Sequence, residues 1–237
     1  MDFRNVDALT FDCYGTLIDW EQGILDVLEP WAQRYGLGVS NDELLASFGD
    51  FESEHEAATP RKLYPEILQA VFMDIARRYG VDPEPEEARA FARSVRAWPA
   101  FEDSAAALRC LKQHHKLAII SNIDRASFAH SQAKLGVEFD AVITAQDVGS
   151  YKPDRRNFEY AFERLKELGV ERDGILHVAQ SLFHDHEPAK ALGLRTVWIN
   201  RRAGRAGWGA TRPPRGEVRP DLVVSDMAAL VAVHRAG

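Results

Sequence analysis

Short apolar runs that end in polar residues recur along most of this chain. The runs span residues 8–11, 117–120, 141–144, 175–179, 196–199 and 222–224. Runs this short and this continuously apolar are typical of strands that are buried on both faces of a parallel sheet. Six buried strands are therefore predicted.

Helical spacing of apolar residues appears between several of these runs. The predicted helices cover residues 104–114, 156–168 and 187–192, the last of them followed by Gly193 as a cap residue. Strands that alternate with helices predict a Rossmann-like α/β core with a parallel sheet and right-handed crossovers. Because polar residues follow the carboxyl ends of the strands, we expect them to share one site.

The stretch from residue 18 to residue 97 breaks this alternation. It reads as four consecutive helices at 23–35, 42–57, 63–79 and 84–95, with Gly36 and Gly80 just past two of their ends. We interpret it as a helical cap inserted after the first strand. The predicted division is core at 1–17, cap at 18–97 and core again at 98–237.

Composition narrows the classes of function. The chain has 237 residues, 46% of them hydrophobic, and a formal net charge of −7, which argues against binding nucleic acid by general phosphate attraction. Its two cysteines, Cys13 and Cys110, fit a reducing compartment. No apolar stretch approaches the roughly 20 residues needed to span a bilayer, and the first residues lack the pattern of a secretion signal. We expect a cytoplasmic protein without a membrane or nucleic-acid partner.

The segment Phe11-Asp12-Cys13-Tyr14-Gly15-Thr16-Leu17 carries the strongest chemical signal. Asp12 directly follows a buried strand, Gly15 permits a tight turn, and Thr16 is placed to hydrogen-bond the carboxylate. A carboxylate that attacks an electrophile needs such a fixed orientation. Taken alone, the segment leaves two interpretations open, a nucleophile or an Asp that caps the next turn.

Three further segments decide between these interpretations. Ser121 follows the second strand, Lys152 lies in Tyr151-Lys152-Pro153-Asp154, and Gln180 to Asp185 follows the fourth strand. Together with the Asp12 segment, they resemble the four motifs of the haloacid dehalogenase superfamily and stand in the same order. The resemblance covers nearly the whole chain. The resemblance implies a Rossmann-like core with a cap, and a covalent ester on Asp12.

The resemblance also bears on the type of reaction. Phosphatases of this superfamily carry a second Asp two residues after the nucleophile, where this chain has Tyr14, and an acidic pair for Mg²⁺ in the fourth motif, where it has Gln180. Mg²⁺ prefers oxygen ligands such as carboxylates. The sequence around Asp12 is instead similar to L-2-haloacid dehalogenases, which need neither a metal nor an enzyme acid. The resemblance therefore implies no cofactor and no metal.

In this interpretation, Asp12 displaces a leaving group from carbon in a small 2-substituted carboxylic acid. Ser121 and Asn122 would bind the substrate carboxylate, Lys152 would neutralise Asp12, and Asp185 with His184 would position or activate the hydrolytic water. Other residues that the resemblance assigns to the substrate site are Tyr14, Thr16, Trp20, Gln180 and Ser181. Trp20 is equally suited to packing at the hinge of the cap. The sequence leaves open whether the chain forms a homodimer.

Two departures from those dehalogenases keep alternatives open. Residues 42–59 contain no Arg for a halide, and Leu182 stands where those enzymes have Asn. There are three alternatives. The first is hydrolysis of a C–N bond with a protonated ring amine as the leaving group, as in azetidine-2-carboxylate. The others are a magnesium-dependent phosphatase and a catalytically silent binding protein.

Other residues with a chemical signal receive structural interpretations. His184 and His186 lack a third ligand at telling spacing, so a zinc site is not expected. Phe48 and Phe51 are expected to pack the cap. The basic run Arg201, Arg202 and Arg205 is expected to lie in a solvated loop.

Overall fold

The computed structural model describes residues 1–82 and 84–237. In this part of the chain a six-stranded sheet is surrounded by helices. The elements, in chain order, are β1 (Ala8–Phe11), α1 (Trp20–Arg34), α2 (Asn41–Ala58), α3 (Tyr64–Arg78), α4 (Pro85–Ser94), α5 (Ser104–Leu111), β2 (Lys116–Ser121), α6 (Arg125–Leu135), β3 (Ala141–Thr144), α7 (Ala145–Val148), α8 (Arg156–Glu167), β4 (Ile175–Ala179), α9 (Glu187–Ala191), β5 (Arg195–Ile199), β6 (Leu222–Val224) and α10 (Met227–Ala236).

All neighbouring strands pair in parallel, in the order β3-β2-β1-β4-β5-β6. The predicted α/β class is confirmed, and each predicted strand lies within one residue of an observed one. β1 lies in the middle, between β2 and β4, so the segments that follow these three strands meet at one edge of the sheet. That edge receives Asp12, Ser121 and Gln180.

The sheet is buried on both faces because successive side chains of each strand point in opposite directions. On one face Leu9 and Phe11 belong to a large apolar cluster that also contains residues of the cap helices. On the other face Ala8 packs in a smaller cluster with residues of α8. This double burial accounts for the continuous apolar character of the runs.

The four helices α1 to α4 follow β1 without an intervening strand, as the sequence indicated. Gly36 and Gly80 adopt φ values of 66° and 74°, the left-handed backbone expected just past a helix end. The chain returns to the core beside its departure point, where Asp19 N–H donates to the carbonyl of Pro99 at 2.8 Å. The division into domains at 17/18 and 97/98 remains a prediction.

Two regions differ from the sequence-based expectation. α6, the short α7 and α10 were not predicted. α6 buries Ser127 and Ser131 beside Phe128 and Leu135, and these serines obscured the apolar periodicity. The expectation of a solvated basic loop is wrong for Arg201 and Arg202, whose side chains are only 12% and 10% exposed. Both residues are half-buried, and each guanidinium forms an ion pair, with Asp103 and Glu21 respectively. Arg205 is exposed, as expected.

Within the described residues, no helix combines the length and the apolar character that a membrane span requires.

Candidate active site

Asp12 lies where β1 ends, and its side chain is held from two directions. The Thr16 hydroxyl donates to Asp12 Oδ2 at 2.8 Å and in turn accepts from the backbone N–H of Gln180 at 2.9 Å. Gly15, with φ 89°, makes the backbone turn between Asp12 and Thr16. The carboxylate therefore has a fixed orientation, as a nucleophile requires.

Lys152 bridges the two carboxylates at the carboxyl end of the sheet. Its Nζ donates to Asp12 Oδ1 at 3.0 Å, to Asp185 Oδ1 at 2.6 Å and to the carbonyl of Ile120 at 2.8 Å. These three acceptors use all three ammonium protons. Lys152 therefore pairs with both Asp12 and Asp185 and has no proton left for a ligand.

Asp185 has a second partner behind it, in the interior of the sheet. His177 Nε2 lies 3.0 Å from Asp185 Oδ1, and the Thr10 hydroxyl lies 2.9 Å from His177 Nδ1. If Thr10 donates to Nδ1, Nε2 carries the proton and donates to Asp185. Asp185 Oδ2 is buried and has no hydrogen-bond partner among the described residues. One oxygen is thus anchored and the other is available.

The charges of this cluster shift the pKa values of its members. Burial raises the pKa of Asp12 and the charge on Asp185 adds to this, while Lys152 and Thr16 act in the opposite direction. Burial alone would lower the pKa of Lys152, but the two carboxylates raise it above its usual value. Burial opposes ionisation of Asp185 as well, yet Lys152 and His177 hold its pKa well below the usual range.

Asp12, Lys152 and Asp185 line a cavity. Helix α2 of the cap contributes two buried carboxyl groups to it. Glu52 and Glu56 are each 3% exposed and line the cavity with Asp12. The Tyr64 hydroxyl donates to Glu52 Oε1 at 2.5 Å, and Asn122 Nδ2 donates to both oxygens of Glu56 at 3.2 and 3.1 Å. Burial raises the pKa of Glu52 to about 8 and that of Glu56 well above its usual value.

Aromatic rings form the sides of the cavity. They lie between the residues around Asp12, which we call the core wall, and the two glutamates of α2, which we call the cap wall. Tyr14, Trp20 and Tyr64 line it. The rings of Tyr14 and Tyr64 stack with centroids 6.5 Å apart, and the Tyr14 hydroxyl is 2.9 Å from Ser131 Oγ. Trp20 packs edge-on against Phe48 of the cap. Trp20 thus serves in both predicted places, the cavity and the packing of the cap.

Besides Asp185 Oδ2, two buried polar atoms of residues that line the cavity have no hydrogen-bond partner among the described residues, His184 Nε2 and Ser121 Oγ. His184 is held by Ser181, whose Oγ accepts from the backbone N–H of His184 at 2.9 Å and lies 3.2 Å from Nδ1. Burial lowers the pKa of His184 to about 4, so the imidazole is neutral near pH 7. The cavity therefore offers two neutral polar groups to a ligand.

The structure brings most of the predicted site residues to one cavity. Those that line it are Asp12, Tyr14, Trp20, Ser121, Asn122, Lys152, Ser181, His184 and Asp185. Thr16 and Gln180 do not line it, in contrast to the expectation that they bind substrate. Thr16 is fully buried behind Asp12, and Gln180 Oε1 accepts at 3.2 Å from Thr211, which does line the cavity.

Asn122 is used differently from the expectation. Its Oδ1 accepts from the backbone N–H of Lys152 at 2.7 Å, and its Nδ2 also donates to the carbonyl of Lys152 at 3.0 Å. With Glu56 bound as well, the amide ties the cap to the loop of Lys152. Its side chain has little hydrogen-bonding capacity left for a substrate carboxylate.

Sequence reasoning missed Glu52, Glu56, Tyr64, Thr211 and His177. A signal for the two glutamates was present, because Leu45, Phe48, Glu52 and Glu56 follow one another at helical spacing, which places the acids on the apolar face of α2. No comparable signal marked His177, which stands inside a buried strand. Only the fold shows that His177 contacts Asp185.

The residues present do not fit a magnesium site. The phenol of Tyr14 and the amide of Gln180 replace carboxylates, and the Gln180 side chain is turned towards Thr211. Within residues 1–82 and 84–237, no group of three or more His, Cys, Asp or Glu side chains is arranged to hold a metal ion. His186 does not join His184, since its Nε2 lies 3.0 Å from the buried carbonyl of Ala179.

Comparison with known proteins shows the family of this chain. The family model described as hydrolase, haloacid dehalogenase-like hydrolase, matches residues 6–193. This chain belongs to that family. As a haloacid dehalogenase-like hydrolase it is an enzyme of the hydrolase class.

Its relatives include proteins of two kinds. The (S)-2-haloacid dehalogenase of Pseudomonas fluorescens is 25% identical over 85% of this chain and 87% of its own. The haloacid dehalogenase-like hydrolase domain-containing protein 3 of Bos taurus is 30% identical over 81% of this chain and 80% of its own. The fold is shared with the L-2-haloacid dehalogenase of Xanthobacter autotrophicus with chloropropionic acid covalently bound, at a TM-score of 0.76 and 20% identity over 97% and 98% of the two chains.

Proposed function

We propose that this hydrolase displaces a leaving group from carbon without a metal, through an ester on Asp12, in a small 2-substituted carboxylic acid. The observation that carries the proposal is the arrangement of Lys152 between Asp12 and Asp185. It keeps a buried carboxylate oriented and charge-balanced. Relatives that are 2-haloacid dehalogenases support a halide as the leaving group.

The first step is an S_N2 displacement. An Asp12 oxygen attacks C2 of the substrate from the side opposite the halogen, and the C–X electron pair leaves with the halide. No proton is needed for this departure, which agrees with Tyr14 in place of an acid. Ser121 Oγ and His184 Nε2 are the unpartnered groups that would hold the substrate carboxylate.

The second step hydrolyses the ester at the carboxyl carbon of Asp12. Asp185 Oδ2, which has no partner among the described residues, would orient the attacking water, assisted by the neutral imidazole of His184. Water adds to that carbon, the bond from the carbon to the ester oxygen breaks, and the ester oxygen leaves on C2 of a 2-hydroxy acid. Asp12 is regenerated as a carboxylate that contains the water oxygen, and the second proton of the water is released. Each turnover releases one halide and one proton, and the configuration at C2 is inverted.

A second candidate is the same displacement with a protonated ring amine as leaving group, as in azetidine-2-carboxylate. The specific observation that favours it is the pair Glu52 and Glu56, which form no ion pair with a Lys or Arg among the described residues. When the C–N bond breaks, its electron pair stays on the nitrogen, which then takes up the proton released in hydrolysis of the ester. The product is a 2-hydroxy acid that carries an ammonium group, and no net proton appears.

The two candidates and the mechanism can be tested together. Single turnover with 2-chloropropionate or azetidine-2-carboxylate in heavy-oxygen water, in excess EDTA, should place the label first on Asp12. A pH indicator should report one proton per halide and none for ring opening. Active turnover without label on Asp12, or phosphate release from phosphomonoesters only with Mg²⁺, would contradict the proposal.

A further inference from the structure

A second and larger pocket adjoins the cavity that Asp12 lines. Glu56, Lys152 and His184 line both spaces. The cavity has a volume of about 30 Å³, and the second pocket has a volume of about 410 Å³. Small-molecule sites typically measure roughly 300–1,000 Å³, so the second pocket has room for a part of a ligand that the cavity alone cannot hold. We call it the outer groove, and its charged lining residues are Glu56, Lys152, Asp154, Arg156, Arg212 and Arg215.

Basic side chains outnumber acidic ones in the outer groove, although the chain as a whole has a net charge of −7. Of the two acids, Glu56 is buried, and burial raises its pKa well above the usual value, which favours its neutral form. The other lining residue that titrates near neutrality, His184, has its pKa lowered to about 4 and carries no charge near pH 7. A ligand in the outer groove therefore meets a positive potential.

Arg215 differs from the other cations of the outer groove. Its guanidinium forms no ion pair with an Asp or Glu among the described residues, and the Glu187 carboxylate accepts a hydrogen bond from its backbone N–H instead. The other three cations have acidic partners, which are Asp12 and Asp185 for Lys152, Asp154 for Arg156 and Glu54 for Arg212. Arg215 is also exposed, so an anionic ligand can reach its guanidinium from solvent.

The ring of Phe183 connects Arg215 with the cavity. Arg215 Cζ lies 5.0 Å from the centroid of this ring, and the ring packs edge-on against that of His184 with centroids 4.8 Å apart. The charges of Arg212 and Arg215 also contribute to the lowered pKa of His184, as expected of guanidinium groups near the cavity. Stacking on an aromatic face orients a planar guanidinium, which can then bind a carboxylate through two parallel hydrogen bonds.

We infer that Arg215, together with Arg212, binds a second carboxylate at the far end of the substrate, so that the substrate class is the 2-substituted dicarboxylic acids. This inference rests on the proposed function for the place of C2 and of the first carboxylate, and adds the remainder of the chain. The reacting end lies beside Asp12, the carbon chain passes His184 and Phe183, and the terminal carboxylate accepts hydrogen bonds from Arg215.

The products of the proposed reaction, 2-hydroxy acids, test this inference without turnover. 2-Hydroxyglutarate, 2-hydroxyadipate and 2-hydroxypimelate each have a partner of the same chain length without the terminal carboxylate, namely 2-hydroxypentanoate, 2-hydroxyhexanoate and 2-hydroxyheptanoate. Calorimetric titration of the wild-type protein should show that, at one chain length, the dicarboxylate binds about tenfold or more tightly than its partner. A general attraction to positive charge would instead favour all three dicarboxylates equally.

The variants assign this preference to particular residues. Arg215→Gln should bring the ratio close to one at that chain length, and Arg215→Lys should restore part of it, because Lys keeps the charge but not the planar pair of donors. Arg212→Gln should lower the ratio less, since Arg212 is already paired with Glu54. The matched control is Arg219→Gln, because Arg219 is exposed, pairs with Glu217 and does not line the outer groove. It should leave the ratio unchanged.

A ratio near one at every chain length, a ratio that persists in Arg215→Gln, or an equal loss in Arg219→Gln would overturn the subsite. Failure of every acid in the series to bind would overturn it as well. These outcomes differ from failure of the proposed function. Formation of an ester on Asp12 from 2-chloropropionate, without a dicarboxylate preference, would refute the subsite alone. A dicarboxylate preference without an ester on Asp12 would refute the displacement alone.

Discussion

The two walls of the cavity treat charge in opposite ways. On the core wall, Asp12 and Asp185 share one ammonium group, that of Lys152, and the three side chains are nearly fully buried. On the cap wall, Glu52 and Glu56 are equally buried but have no cation, and burial raises their pKa values. The core wall is therefore complete before a ligand arrives, whereas the cap wall depends on protonation or on the ligand.

This difference separates chemistry from selection. Groups that perform a displacement must be oriented in advance, and the core wall meets that condition through strand ends and hydrogen bonds, while Lys152 opposes the effect of burial on the pKa of Asp12. Groups that select a ligand gain most when the ligand satisfies something that the empty site lacks. Variants of the core wall should therefore affect every substrate, and variants of the cap wall should affect some substrates and not others.

Asp12→Asn should have the largest effect. The amide cannot form the ester, so turnover of any substrate should fall by at least about a thousandfold, while the amide still fits the hydrogen bond from Thr16. Halide release measures the turnover, and circular dichroism checks that the variant is folded. Turnover within tenfold of the wild-type rate would mean that Asp12 is not the nucleophile.

Lys152→Met should be next, and it should also weaken the fold. Removal of the ammonium leaves Asp12 and Asp185 buried without a counter-ion, which costs about 3–5 kcal/mol in the free energy of unfolding unless one carboxyl becomes protonated. Turnover should fall by roughly a hundredfold or more, since a protonated Asp12 does not attack. Urea denaturation and halide release at several pH values test this.

The control for Lys152 uses the same chemistry at the surface. Lys112 pairs with Asp140 at the partly exposed surface of the molecule, and Lys112→Met should cost only about 1 kcal/mol or less. Equal destabilisation by the two substitutions would show that the ion pairs of Lys152 contribute no more to the free energy of unfolding than a surface ion pair does.

His177→Asn tests the anchor of Asp185 and should have a smaller effect. The substitution removes the contact between His177 Nε2 and Asp185 Oδ1, which lies outside the cavity. We expect hydrolysis of the ester to slow by about tenfold, while its formation changes less, so the labelled ester should accumulate in single-turnover experiments. A proportional loss in both steps would point to a general packing defect.

Glu52→Gln should have the smallest effect on the fold, and its sign depends on pH. In the folded state the pKa of Glu52 is about 8, against an ordinary value of 4.5, so folding favours the protonated form. The stability from this proton is fully present below about pH 4.5 and is lost as the pH rises through about 8. The variant lacks this loss.

Wild type and Glu52→Gln should therefore have similar stability near pH 5, and the variant should be more stable above pH 8 by on the order of 1–3 kcal/mol. Urea denaturation across this range measures the difference. Glu54→Gln, exposed on the same helix, should show no such pH dependence. A constant difference between wild type and Glu52→Gln at all pH values would contradict the raised pKa.

Much of the fold could be predicted from the sequence because it depends on local patterns. Buried strands of a parallel sheet are continuous apolar runs, and helices that pack on one side repeat every three to four residues. α6 was missed where Ser127 and Ser131 take buried positions that apolar residues usually fill. The arginines at 201 and 202 were misjudged because their partners, Asp103 and Glu21, are distant in sequence.

The sequence by itself determined the place of Asp12, since a polar residue directly after a buried strand lies at the sheet edge where ligands bind. It also determined that Tyr14 and Gln180 stand in positions where a magnesium phosphatase needs carboxylates. Only the tertiary structure decided which way the side chains point. It joined the Gln180 side chain to Thr211, bound the amide of Asn122 to Glu56, and placed two acids of α2 in the cavity that Asp12 lines. The physical reason is that burial and charge balance arise between residues far apart in the chain, which no local pattern records.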